Sequence, residues 1–187
     1  IAWHLQEALG ADNEIRVICS DVDRKIVNEN LSQIFTDTIF TPEPEPYYFL
    51  KFSDPSAYKS IKAHANLILA YANENEKNPG YDLVKKVLND EQFEYISKVN
   101  PMIIGQDILA KNQLFMIVNM SDQNSINKWK KEKKNFIRKK FDDQFIKRQK
   151  RHILNDFRND ELEKILREKY NINLQIPWGW EIIKEHS

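Results

Sequence analysis

The chain has 187 residues, 41% hydrophobic and 30% charged, enough for one domain or one and a half with a core that needs no metal or disulfide staple. Its 28 basic and 28 acidic side chains cancel, so the chain as a whole exerts no net electrostatic pull toward nucleic acid or an anionic membrane. No apolar stretch approaches the ~18–20 residues of a membrane span.

Residues 14–20, EIRVICS, are short and rich in β-branched types, the pattern of a buried strand. The lone cysteine, Cys19, lies in this run and reads as a small buried hydrophobe, with no partner for an intramolecular disulfide or a cysteine-built zinc site. Over residues 22–40, Ile26, Val27, Leu31, Ile34, Phe35 and Ile39 recur at helical spacing and predict a helix. TPEPEP at 41–46 reads as a stiff extended connector, because proline removes amide donors and holds φ. YYFLKFS at 47–53 predicts a second strand. Asp54 is the expected N-cap of a short helix with Pro55 at its first position. NLILAYA at 66–72 predicts a third strand, and NENEKNPG a polar loop.

Helical stretches are expected at 80–89 and 91–97, closed by Pro101. Residues 107–120, DILAKNQLFMIVNM, read as a long strand or a hairpin around Lys111 and Asn112. A long helix capped by Ser121 or Asp122 is expected to run to about residue 157. A second helix follows from near Asp160 to Tyr170 or Asn171, and NLQIPWGWEII closes the chain as a strand and a turn at Gly179. This order predicts an α+β fold, a mixed sheet of about four to six strands packed with helices, one of them long and basic, although alternation alone also allows a doubly wound α/β sheet. Residues 1–13 read as an N-terminal segment or linker and 14–187 as a single domain.

Asp21-Val22-Asp23 after the first strand invites comparison with aspartate-based phosphatases of the haloacid dehalogenase class, where one carboxylate attacks phosphorus and the other handles a proton. That class places Gly and then Thr or Val next, where this chain has Arg24 and Lys25. It also needs a later acidic pair for magnesium. Asp142 and Asp143 are adjacent on a helix and point about 100° apart, a poor geometry for one metal. Asp21 and Asp23 therefore read as helix-capping carboxylates.

With only four glycines, the chain has neither a Walker-type nor a dinucleotide-binding loop. His4, His64, His152 and His186 form no local metal motif, and no Gly-x-Ser-x-Gly elbow is present. No catalytic, cofactor-binding or metal-binding residue is assigned.

Residues 128–151 carry twelve Lys or Arg against three acids, about +9 locally. Ile126, Trp129, Phe136, Phe141 and Phe145 recur near helical spacing there and are expected to pack on the sheet, with the lysines solvated. A face carrying Lys130, Lys133, Lys134, Arg138 and Lys140 is one candidate interaction surface, open to a partner, an anionic lipid surface or, less readily, nucleic acid. Trp178 and Trp180, which flank Gly179, are the other: exposed, they would mark a contact for a partner or for a further segment of the same chain.

Together, NEIRVICSD, PEPEPYYFLKFS, HANLILAYAN, ILAKNQLFMIVNMSD and NLQIPWGWEIIKE resemble, in order and spacing, a domain-of-unknown-function family of presumed lipoproteins from Bacteroidota. The family pattern has an apolar first strand, a Pro-x-Glu-Pro connector, a strand around a Gln (Gln113 here), a long charged helix and an Ile-Pro-x-Gly-aromatic turn, with Trp180 at the aromatic. His64-Ala65-Asn66 replaces a more basic version. The Lys, Asn and Ile-rich composition suits an AT-rich genome of that phylum. The resemblance implies a cell-envelope protein, exported to the periplasm or outer membrane and lipid-anchored upstream; with no coherent catalytic set in the sequence, the chain is expected to be a non-enzymatic module meeting an envelope protein, with a divergent aspartate-based phosphatase using Asp21 and Asp23 as the alternative. It also implies that this chain is roughly the first half of a longer protein. The chain starts at Ile1, so its own N-terminus and any targeting signal are expected to lie upstream. The family supplies no active-site residue to carry over.

Overall fold

In a computed structural model, residues 5–35, 38–40, 43–154 and 158–183 are described. Two compact units are present, residues 1–144 and 145–187, where the sequence reading expected one domain over 14–187.

Unit one has the expected α+β fold, built on a five-stranded mixed sheet. Its strands are β1 (Glu14–Ile18), β4 (Phe49–Ser53), β5 (Asn66–Tyr71), β6 (Met102–Gln106) and β7 (Leu114–Asn119), arranged β4-β1-β5-β7-β6. All neighbours pair in parallel except β6, which runs antiparallel to β7 at the edge. Every residue of β5 and of β7 is buried. Strands buried on both faces read as continuous apolar runs and need helices above and below. On one face Ile15, Val17, Ile68, Met116 and Val118 meet α1 (Arg24–Phe35) through Val27, Leu31, Ile34 and Phe35. The same cluster takes Ile126, Trp129, Ile137 and Phe141 from α5 (Gln123–Leu154). On the other face Leu67, Leu69, Tyr71, Phe115 and Ile117 meet Tyr58 and Ile61 of α2 (Tyr58–Ile61), Val84 of α3 (Pro79–Val87) and Ile96 of α4 (Asp90–Lys98).

The start signals act as their chemistry dictates. Asp54 accepts a hydrogen bond from the Ser56 amide ahead of a 3-10 turn, Pro55–Ala57, that leads into α2. Asn78 caps α3 with Pro79 at its first position, and Asn89 with Gln92 forms a capping box on α4.

Four expectations change. The helix after β1 ends at Phe35, and Thr38–Phe40 is instead a short strand (β2) that pairs antiparallel with Pro44–Pro46 (β3). A two-stranded ribbon is all edge, where proline is tolerated; positions 41 and 42 of the connector lie outside the described residues. The hairpin predicted within 107–120 is displaced: its strands are β6 and β7, and Lys111 and Asn112 sit in the loop between them. Glycine at 105 in MIIGQ weakens the strand signal of β6. Residues 5–13 are not a linker. The Ala8 and Leu9 amides donate to the Lys111 and Ala63 carbonyls at 2.9 Å each, and Asn66 Nδ2 donates to the Asp12 and Glu14 carbonyls.

On α5, finally, Phe136 is 47% exposed and Ile137 takes its expected place in the core. The two differ by about 100° around the helix. Ile137 falls in line with Ile126 and Phe141, while Phe136 lies to the side with the Lys140 ammonium 5.5 Å above its ring.

Unit two contains the end of α5 from Phe145 and a second helix, α6 (Asp160–Tyr170). Residues 155–157, where the long helix was expected to end, lie outside the described residues. Asn159 caps α6 by accepting from the Leu162 amide, acids fill its first turn, Arg167 and Lys169 its last, and Asn171 closes it at φ +55°. The predicted closing strand does not form; among the described residues Arg158 and Pro177 make one isolated bridge.

Phe141 packs edge-on to Phe35 at 4.8 Å and to Tyr48 at 6.2 Å, so Phe141→Ala should destabilise unit one by about 3–5 kcal/mol. Phe136→Ala should stay within about 0.5 kcal/mol. Denaturant midpoints of the two variants check the assignment.

Candidate functional site

A mostly parallel sheet gathers its loops at the carboxyl ends of its strands, and ligands of such sheets bind where neighbouring connections diverge to opposite faces. Here that position lies between β1 and β5, where Asp21 and Asp23 stand. The two carboxylates occupy unlike surroundings. The Asp21 side chain is 79% exposed and pairs with Arg24 Nη2 at 2.7 Å. Asp23 is 1% exposed, and its Oδ2 accepts hydrogen bonds from Ser20 Oγ at 2.9 Å and Asn78 Nδ2 at 2.6 Å.

Asn78 in turn accepts from the Gly80 amide at 2.9 Å while capping α3. Gly80 is closely seated: a Cβ there would come within 3.1 Å of the Ser20 amide nitrogen. Ser20, Asp23, Asn78 and Gly80 are thus bonded or packed to one another at this end of the sheet. Asp23 stands at the start of α1, where its carbonyl accepts from the Val27 amide at 2.9 Å, but the carboxylate that the sequence reading expected to cap that helix is bonded to Ser20 and Asn78 instead. It ties the loop after β1 to the cap of α3, a link across 55 positions that the reading of residues 73–80 as a polar loop did not anticipate. Cys19 beside it is fully buried, and desolvation pushes its thiol up to about 12, which leaves it un-ionised and unreactive. Among the described residues no group of three or more His, Cys, Asp or Glu is placed to hold a metal ion. His4, His186 and the side chain of His152 lie outside the described residues.

The candidate residues on the basic helix divide in two. Lys133 and Lys134 are exposed. Lys130 donates to Gln33 Oε1 of α1 at 2.9 Å, and burial lowers its pKa. Lys140 lies over Phe136. Arg138 is not a free surface group. Its guanidinium carbon sits 4.9 Å from the ring centroids of both Tyr47 and Tyr48, and its Nε donates to Asp142 Oδ1 at 2.9 Å, which also accepts from Tyr48 Oη at 3.0 Å. Arg138 therefore fastens α5 onto the segment before β4.

In unit two, Trp178 and Trp180 are 73% and 65% exposed. Gly179 between them adopts φ +89°, a conformation that side-chain-bearing residues avoid. The turn is held from beneath. Glu163, buried, accepts from the Ile176 amide at 2.8 Å and pairs with the Arg158 guanidinium. Asn159 donates through Nδ2 to the Trp180 carbonyl at 3.1 Å, and its amide donates to the Ile176 carbonyl. Glu163 was not singled out in the sequence; as one acid among several in a helix's first turn it carried no distinguishing mark. Around the turn, Leu174, Ile182 and Ile183 are exposed as well.

Asp23→Ala would leave two buried donors without an acceptor and should cost at least about 2 kcal/mol, against about 0.5 kcal/mol or less for Asp21→Ala, as read by thermal or chemical unfolding. The hydrogen bond from Arg158, and then that from the Ile176 amide, holds the Glu163 carboxyl below its ordinary value. A depressed folded value stabilises above about pH 4.5 and is lost as pH falls through that folded value. The indole N–H resonances of Trp178 and Trp180 should accordingly shift on acidification below about pH 4.5, and Glu163→Gln should abolish that titration.

No helix among the described residues is long and apolar enough to cross a membrane. Comparison of the chain with protein-family models, curated proteins and solved structures finds no match.

Proposed function

We propose that this chain is a non-enzymatic interaction module of an exported cell-envelope lipoprotein, and that the Trp178-Gly179-Trp180 turn is its contact surface. The observation that carries the reading is the exposure of both indoles on a turn fixed by Glu163, Arg158 and Asn159. Large aromatic side chains left in water on a rigid support are the usual anchors of protein interfaces, because they bury much area at little entropic cost. The envelope location, the upstream lipid anchor and an envelope protein as partner rest on the sequence resemblance alone. Cross-linking of the full-length protein in its native cells, read by mass spectrometry, should recover one dominant envelope protein joined through Lys164 or Lys169. The Trp178→Ala/Trp180→Ala variant should lose it at unchanged abundance. Equal recovery with both indoles removed would contradict the proposal.

The exposed Lys133 and Lys134 favour a second reading, in which the basic helix meets an anionic surface. Binding to vesicles containing anionic lipid should then fall steeply with salt and weaken in Lys133→Glu/Lys134→Glu, and a flat salt dependence would remove it. A phosphatase built on Asp21 and Asp23 has less support, because the second carboxylate is occupied by Ser20 and Asn78.

A further inference from the structure

β6 is an edge strand, and its outer side is unpaired among the described residues. The Asn119 amide donates to the Pro101 carbonyl at 2.8 Å, and the Asp107 amide to the Gln113 carbonyl at 3.0 Å. Backbone groups alternate in direction along an antiparallel strand. Residues 101, 103, 105 and 107 therefore turn theirs toward β7, and Met102, Ile104 and Gln106 turn theirs away. The Met102 amide is taken by Asn100 Oδ1 at 3.3 Å. The amides of Ile104 and Gln106, and the carbonyls of all three, have no partner among the described residues.

Protein edges are normally blunted against pairing by a lysine, a proline, an inward charge or a bulge. MIIGQ carries no charge and no proline, and its register against β7 runs unbroken from Met102 to Gln106. The opposite edge differs, since β4 carries Lys51 at its middle, held by Glu14. The apolar layers are also incompletely covered at β6. Ile104 packs against the cluster under α1 and α5 and Ile103 against the one under α2, α3 and α4, and each is only partly buried. At the two ends of the strand stand Val99, 72% exposed, and Ile108, 51% exposed.

We infer that β6 pairs edge to edge with the β6 of a second copy of this chain, antiparallel about a two-fold axis at Ile104. That register sets Ile104 against the partner's Ile104 and Gln106 against the partner's Met102. Each free amide then meets a free carbonyl, and the Met102 amide, already bonded, is not needed. A two-fold axis opposes like to like, which residues 99–106 tolerate because none is charged. The same axis on β4 would bring Lys51 against its own copy. Antiparallel pairing also carries the Val99 end of one copy to the Ile108 end of the other, apolar against apolar. Main-chain bonds supply the affinity. Five residues a side is far below the roughly 20–30 of a standard interface, so the dimer is weak and forms only at high concentration. This pairing is independent of the tryptophan turn.

The test follows the intact chain by analytical ultracentrifugation from micromolar to millimolar concentration, together with amide hydrogen exchange. The expected result is a monomer–dimer equilibrium. As the dimer fills, the Ile104 and Gln106 amides should exchange roughly tenfold more slowly, while those of Ile103 and Gly105, bonded to β7, stay protected throughout. Gln106→Pro deletes one outward donor and leaves the β7 ladder whole, so it should weaken dimerisation roughly tenfold with the unfolding midpoint kept. Chains carrying Ile104→Lys and Ile104→Glu should each be monomeric and associate when mixed, because this register sets those positions face to face. In Trp178→Ala/Trp180→Ala, dimerisation through β6 should persist, whereas association through the indole turn would vanish. A monomer at every concentration, or a dimer in which the Ile104 and Gln106 amides exchange unchanged, would overturn the pairing. Protection of those amides that appears only in cell extract would overturn it too, by assigning the edge to a foreign strand.

Discussion

Two strands buried along their whole length, β5 and β7, impose the architecture of unit one. They pair in parallel over six residues each, so neither face of the sheet centre can meet water. The parallel direction forbids a hairpin between them and forces the chain out through α3, α4 and β6 before it returns. Covering both faces then requires helices on each side. α1 and the first part of α5 supply one cover, and α2, α3 and α4 the other. The aromatic contacts follow these layers, with Phe35, Tyr48 and Phe141 on one side and Tyr71, Tyr81 and Phe93 on the other.

The same constraint decides what the sheet's carboxyl end can do. Loops that must pack tightly to start α1 and α3 place Ser20, Asp23, Asn78 and Gly80 in mutual contact. A buried carboxylate satisfied by two donors stabilises that corner and holds no open coordination for a substrate. The exposed candidate surfaces lie elsewhere: a basic helix face in unit one and a tryptophan turn in unit two.

The α+β class, the order of most elements and their caps were legible because those signals are local. A run rich in β-branched types marked β1, apolar runs marked β5 and β7, and Asp54-Pro55 announced a helix start. The misreadings came from non-local causes. Which of Phe136 and Ile137 faces the core depends on the angle at which α5 meets the sheet, and a count of aromatics could not set it. β6 pairs only because β7 lies beside it, and its glycine hid it. Arg138 looked like part of a charged face because its ring partners, Tyr47 and Tyr48, reach it only in three dimensions, although Asp142 lies one turn along the same helix. The candidate surfaces show the same division. The indole pair was visible as Trp-Gly-Trp, whereas Glu163 beneath it stands out only through its bonds to Arg158 and the Ile176 amide in the folded chain.

The claim that the indole turn is a contact surface is tested most directly by hydroxyl-radical footprinting of Trp178 and Trp180, in the purified chain and in the full-length protein inside its native cells. The account predicts rapid oxidation of both indoles in the purified chain and strong protection in cells, with exposed reference residues such as Phe136 oxidised alike in both. Equal oxidation of the two indoles in cells and in isolation would contradict it.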